Sequence, residues 1–136
     1  MISRILVVAL VVSMIGCGGS TSRRATLTVK GKVTFDGKPV EGGTISFEPK
    51  DGKGGSVSAS IMDGNYETRV EPGVKVVRIN YPKLVRTEPA YPGSKDSPMI
   101  SITTEVIPEK YNSASRLEKD LTEAPGSTDF TLTSTQ

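Results

Sequence analysis

From Thr26 to Phe35 apolar and polar side chains alternate. Leu27, Val29, Val33 and Phe35 fall on one side, and Thr28, Lys30, Lys32 and Thr34 on the other. A period of two over that length fits a strand buried on one face and fits no helix. Gly31 sits on the apolar side, where it predicts a bulge or a close backbone approach. Asp36-Gly37-Lys38-Pro39 then supplies a turn, with glycine for positive φ and proline against an uninterrupted central strand. The rhythm repeats. Val40, Gly42-Gly43 and Thr44-Ile45-Ser46-Phe47 read as a second strand with Ile45 and Phe47 inward. Pro49 to Gly55 is a polar, glycine-rich loop, after which Val57, Ala59 and Ile61 alternate with Ser56, Ser58 and Ser60. Asp63-Gly64-Asn65 turns into Tyr66 to Val70, and Glu71-Pro72-Gly73 turns into Val74 to Tyr81, with Val77, Ile79 and Tyr81 inward. No helical period interrupts this series. The expected fold is all-β, a single seven- to eight-stranded β-sandwich with Greek-key-like connections, in which Asp36, Gly37, Asp63 and Gly64 are structural turn residues.

Pro82 to Pro108 breaks the rhythm. Five prolines in this stretch exclude a central strand through most of it, so a long loop is expected, with Met99 to Val106 as a short edge strand. Loops of that length in compact domains carry function or move. Tyr91, flanked by Pro92 and Gly93, and Met99 are its candidate contact residues. Leu117 to Leu121 and Asp129 to Leu132 read as closing strands around Ala124-Pro125-Gly126-Ser127, with Phe130 and Leu132 inward.

The first residues follow another pattern. Met1 to Arg4 is a short basic head and Ile5 to Ile15 is almost wholly apolar, too short for the roughly 20 residues that cross a bilayer. Met14-Ile15-Gly16-Cys17 closes the run with a small residue before the only cysteine. Charged head, apolar run and small-residue cleavage site make a secretory signal, and the cysteine at its boundary makes it a bacterial lipoprotein signal. Residues 1–16 are therefore expected to be removed, with Cys17 lipidated and 17–25 a flexible tether through Gly18-Gly19-Ser20-Thr21-Ser22. Firm anchoring takes more than one acyl chain, as a lipoprotein cysteine carries. Gly18 stands where an acidic residue would argue for inner-membrane retention, so the expected place is the cell envelope, at the outer membrane. The domain spans 26–133, and 134–136 should fray.

Cleavage leaves 120 of 136 residues, one domain's length. Near-balanced charge excludes an electrostatic footprint for nucleic acid. Arg23-Arg24, beside the anchor, is the one basic cluster and can touch anionic headgroups. Without a second cysteine no disulfide staples the domain, and the core is built without tryptophan. Histidine is absent. That removes the commonest general base near neutral pH and the commonest zinc ligand, and with them Cys/His and Ser/His nucleophile pairs. No catalytic residue, cofactor or metal is expected.

Val29-Lys30-Gly31-Lys32-Val33-Thr34-Phe35-Asp36-Gly37-Lys38-Pro39-Val40, followed by Gly42 to Phe47, resembles the opening of carboxypeptidase regulatory-like domains of the transthyretin-like type. Asp63-Gly64-Asn65-Tyr66 matches their D-G-x-Y turn. Ile107-Pro108-Glu109-Lys110-Tyr111-Asn112, Ser115-Arg116-Leu117 and Gly126 to Leu132 are similar to the tail of a set of short bacterial lipoproteins that carry one such domain. The resemblance implies a sandwich in the bacterial envelope and no activity. Among transthyretin-like proteins the hydroxyisourate hydrolase needs histidines and a terminal Tyr-Arg-Gly-Ser, neither of which this chain has.

Four functions compete. Catalysis by a carboxylate pair would draw on Asp36, Glu41, Glu48 and Asp63, which read as solvated turn residues. Calcium at Asp63-Gly64-Asn65 would find one carboxylate and one amide, short of the six or more oxygens it takes. Carbohydrate binding would use exposed tyrosine faces, with Asn80 and Asn112 beside Tyr81 and Tyr111, and only Tyr91 reads as exposed. A non-catalytic protein-interaction or structural role, through exposed strand edges and the long loop, fits best, with an envelope protein as partner and a glycan as the alternative.

Overall fold

The computed structural model describes residues 24–135. Cys17, the expected signal segment and Gln136 lie outside them. The described chain is nearly all β, with one short 3-10 turn, Glu109–Tyr111. In chain order the strands are β1 Leu27–Phe35, β2 Lys38–Pro39, β3 Thr44–Pro49, β4 Val57–Ser60, β5 Asn65–Val70, β6 Val74–Asn80, β7 Pro82–Pro89, β8 Met99–Glu105, β9 Leu117–Asp120 and β10 Phe130–Leu132.

Two four-stranded sheets form the sandwich. In the first, β1 is the spine: its N-terminal part pairs antiparallel with β5, and its C-terminal part with β2 on one side and, in parallel, with β10 on the other. The second sheet has the order β4-β3-β6-β9, all antiparallel. Alternation puts Val29, Val33, Tyr66, Val70, Phe130 and Leu132 of the first sheet against Ile45, Phe47, Val77 and Ile79 of the second, in one buried cluster. Tyr66 sits at its middle, 6.0 Å from the ring of Phe47 and 6.2 Å from that of Phe130. Each fully buried Val, Ile or Phe side chain contributes about 1.5–3 kcal/mol relative to exposure.

Both Asp-Gly pairs make the tight turns expected of them. Asp36 and Gly37 have φ of 48° and 78°, and Asp63 and Gly64 have 49° and 78°. Two successive positive φ values are the type I′ geometry that matches strand twist. Gly31 is a close approach. A Cβ there would lie 2.5 Å from the Thr128 carbonyl carbon and 2.9 Å from Asp129 Oδ1. The expected loop over 82–108 is corrected. Pro82–Pro89 and Met99–Glu105 pair with each other as a separate two-stranded hairpin, so β8 does not extend the sandwich. Its prolines obey the sterics nonetheless: Pro82 and Pro89 are the end residues of β7, and Pro92 and Pro98 lie in the connection, where no ladder N–H is required.

The C-terminal residues are stitched to β1. Thr128 N–H donates to Lys30 O (2.9 Å), Lys32 N–H to Asp129 Oδ1 (2.8 Å), and the Tyr66 hydroxyl to Thr128 O (2.6 Å). Ser134, placed by its sequence in a fraying tail, donates its N–H to Asp36 Oδ1 (2.8 Å), and Thr135 O accepts from Lys110 Nζ. Hydrogen bonds from the Ser134 backbone and hydroxyl hold the Asp36 carboxyl below the ordinary 3.8, with Lys110 nearby, and the Ser127 hydroxyl followed by the Lys32 N–H does the same for Asp129. A carboxyl depressed in the folded state stabilises the fold at every pH above its unfolded pKa, and that stabilisation is lost as pH falls through the lower folded value. Melting temperature should therefore drop as pH falls below 3.8. The double variant Asp36→Asn, Asp129→Asn should melt lower at neutral pH and lose less on acidification. Equal acid slopes in thermal melts of the two proteins would contradict the stitching.

Candidate functional site

Strand direction gives the sandwich two distinct ends. Leu27, where β1 begins, pairs with Val70, and the Glu71-Pro72-Gly73 turn leads into Val74. Chain entry, that turn and the glycine-rich loop after Pro49 therefore share one end. β6 runs from there through seven residues to Asn80, roughly 20 Å away, where the β7–β8 hairpin leaves the sandwich. The hairpin is an arm at the far end from chain entry.

Cross-strand register defines the faces of the arm. Leu84, Thr87 and Pro89 share one face with Thr103, Ser101 and Met99, and Lys83, Arg86 and Glu88 share the other with Thr104, Ile102 and Ile100. A register shift between Leu84 and Arg86 leaves Val85 bulged out. Arg86 Nε bonds Glu88 Oε2 at 2.9 Å, an exposed pair worth at most about 1 kcal/mol. Of the seven exposed large apolar side chains among the described residues, five stand on this arm: Leu84, Val85, Tyr91, Met99 and Ile100. Scattered exposure needs no explanation, whereas five such side chains on one element make the arm the candidate contact surface. The outer edges of both strands also carry unpaired backbone groups, available to an added strand.

Tyr91 is at the tip, 68 % exposed, and Met99 opens β8, 61 % exposed, opposite Pro89. The structure thus brings the two candidate residues together at the outer part of the arm. The tip is internally bonded: Ala90 N–H donates to Pro98 O (2.9 Å) and Tyr91 N–H to Ser97 Oγ (2.8 Å). Tyr66 is buried and its hydroxyl, engaged with Thr128 O, is pushed by burial well above the ordinary 10. Tyr81 and Tyr111 are half-buried, so neither presents a free ring face alongside Tyr91. Asp63 and Asn65 serve the turn, with Asn65 Nδ2 donating to the Asp63 carbonyl (3.0 Å). Among the described residues no group of three or more His, Cys, Asp or Glu side chains is placed to hold a metal ion.

Sequence reasoning missed the root of the arm. The Glu105 carboxylate accepts from Tyr81 N–H (2.7 Å), Ile107 N–H (3.0 Å) and Asn80 Nδ2 (3.1 Å), and Val106 N–H donates to Tyr81 O (3.1 Å). A two-stranded hairpin alone is marginal in water. This carboxylate gives both legs of the arm one shared acceptor at the rim of the core. Only the acid's place at the end of an alternating run, two residues before the buried Ile107, hinted at it. In Glu105→Ala, hydrogen exchange should speed up at the amides of Tyr81, Ile107 and the arm, and stay slow at Val29 and Val77. Uniform acceleration, or none, would contradict a local clamp. In comparisons of the whole chain, no protein-family model, no curated protein and no solved structure matches it.

Proposed function

We propose that this chain is a lipid-anchored, non-catalytic protein of the bacterial cell envelope whose sandwich carries the β7–β8 arm as its contact surface for a partner protein. One observation carries the reading: chain entry lies at one end of the sandwich, and the exposed apolar side chains concentrate on an arm leaving the other. Anchored through Cys17, such a molecule holds its arm away from the bilayer. The signal pattern before Cys17 supports the anchor, and Gly18 supports the outer membrane. The resemblance to short bacterial lipoproteins with one carboxypeptidase regulatory-like domain supports the same placement.

The absence of histidine from the sequence argues against acid–base and nucleophilic chemistry of the usual kinds. Near-neutral net charge argues against nucleic acid as partner. Carbohydrate binding is the second reading, favoured by the exposed ring of Tyr91. A single ring offers one stacking surface, whereas the whole arm offers apolar side chains on both faces and two free strand edges.

Photo-crosslinking in the producing cell tests this. A benzoylphenylalanine at Tyr91 or at Met99 should each trap the same protein, and one at the exposed Thr131 on β10 should trap none. Labelled palmitate should enter the wild-type chain and not Cys17→Ser. Trapping from all three positions, or from none, would remove the arm as the contact surface, and polysaccharide in the adduct would establish the second reading. Palmitate entering neither chain would remove the anchor.

A further inference from the structure

At the chain-entry end the inner face of the second sheet carries charge where apolar side chains are due. Lys75 shares the inward register of β6 with Val77 and Ile79 and is 2 % exposed, the only buried charged residue among those described. Its cross-strand neighbour on β9 is Lys119, half-buried on the same face. Two like charges at paired positions oppose folding, and the stem of Lys75 is packed in the sandwich while its ammonium keeps an opening to solvent. Among the described residues no carboxylate lies in ion-pair range of either lysine, and no acceptor hydrogen-bonds Lys75 Nζ.

A cleft of about 490 Å³ opens onto Lys75, lined also by Pro49, Lys50, Lys53, Glu71 and Gly73. The acids around it have partners other than Lys75. Glu71 Oε2 bonds Arg24 at 3.3 Å, Asp51 Oδ1 accepts the Lys53 N–H at 2.9 Å, and Glu118 Oε2 takes Lys50 at 2.7 Å. Asp51 lines the cleft with Lys53 and Lys75, and neither lysine has an ion-pair partner among the described residues. The Asp51-Gly52-Lys53-Gly54-Gly55 loop beside them has Gly52 and Gly54 at φ of 69° and 101°, a backbone that glycine adopts without strain, and the Arg24–Glu71 pair packs against Gly54.

We propose that this cleft binds a phosphate-type oxyanion, with Lys75, whose stem is packed in the sandwich, and the exposed Lys53 as its cations. The anion supplies the counter-charge that no carboxylate of the described residues gives Lys75. Arg24 at the cleft margin is seven residues from Cys17, a span of at most roughly 25 Å. The source of the phosphate is therefore the lipid headgroup, a part of the proposal that rests on the lipid-anchored reading. Headgroup capture orients the domain with the cleft against the bilayer and the arm outward.

The test uses the full chain as purified from membranes, in detergent micelles, titrated with inorganic phosphate and followed by amide NMR. The signals of Lys53, Gly54 and Lys75 should shift saturably. Binding should weaken by at least about tenfold in Lys75→Met, since a charge-assisted contact is lost. Lys53→Gln, on an exposed loop, should weaken it as well and covers the case in which Lys75→Met does not fold. In a second arm the same protein is placed in vesicles of phosphatidylglycerol or of phosphatidylcholine. Lys53 should be protected from an amine-acetylating reagent in the first and not in the second, with Lys38 equally reactive in both. No saturable shift, or unchanged binding in both variants, overturns the site. Saturable phosphate binding with equal Lys53 reactivity in the two vesicles overturns the headgroup as source and makes the ligand a soluble phosphate. The acyl mass on Cys17 in the same sample reports on the anchor separately, so a missing anchor is not mistaken for a missing site.

Discussion

Where the C-terminal segment lies down beside β1, the carbonyl of Thr128 occupies the space that a side chain at residue 31 would fill. Glycine there lets Thr128 bond Lys30 O, brings Asp129 to the Lys32 N–H and puts Thr128 O under the Tyr66 hydroxyl. Those three bonds close the first sheet on its open side and seat Phe130 against Tyr66, whose other flank meets Phe47 of the second sheet. One small residue thus couples the first and last strands to the contact between the sheets. Because β1 is the shared spine, its entry end and its exit end are held at a fixed separation. The rest of the molecule is organised by that separation.

The two ends differ in chemistry. One gathers lysines, a glycine-rich loop and a cleft beside the point where the chain enters. The other ends in a hairpin whose faces are mixed and whose apolar side chains stand in solvent. On the proposed reading, a lysine-lined base that binds phosphate and an apolar arm at the far end make the sandwich a spacer that positions a contact surface.

Much of the sandwich is legible in the sequence because period two and turn chemistry act locally. Val29, Val33, Ile45, Phe47, Val77 and Ile79 all face inward as their alternation requires. Asp36-Gly37 and Asp63-Gly64 adopt the positive φ values that the dipeptide favours. Gly31 announces a close approach but not its partner, since Thr128 is nearly a hundred residues away. The arm is not legible in the same way. Counting prolines excludes a central strand, yet a hairpin of two edge strands tolerates proline at every position where this one has it. Lys75 is legible by register and was hidden by its charge: the alternation through Val77 and Ile79 extends to it, and a lysine reads by default as outward. The Glu105 clamp depends on three backbone and side-chain donors converging from both legs, which no spacing encodes.

The central claim is that the sandwich separates a membrane-facing end from an outward arm. Its most direct test is energy transfer in vesicles bearing the anchored protein, with a fluorophore at position 53 or at position 91 and acceptors at the bilayer surface. With the cleft end at the bilayer and the arm outward, transfer should be strong from 53 and weak from 91. Equal transfer from the two positions, or stronger transfer from 91, would contradict the claim.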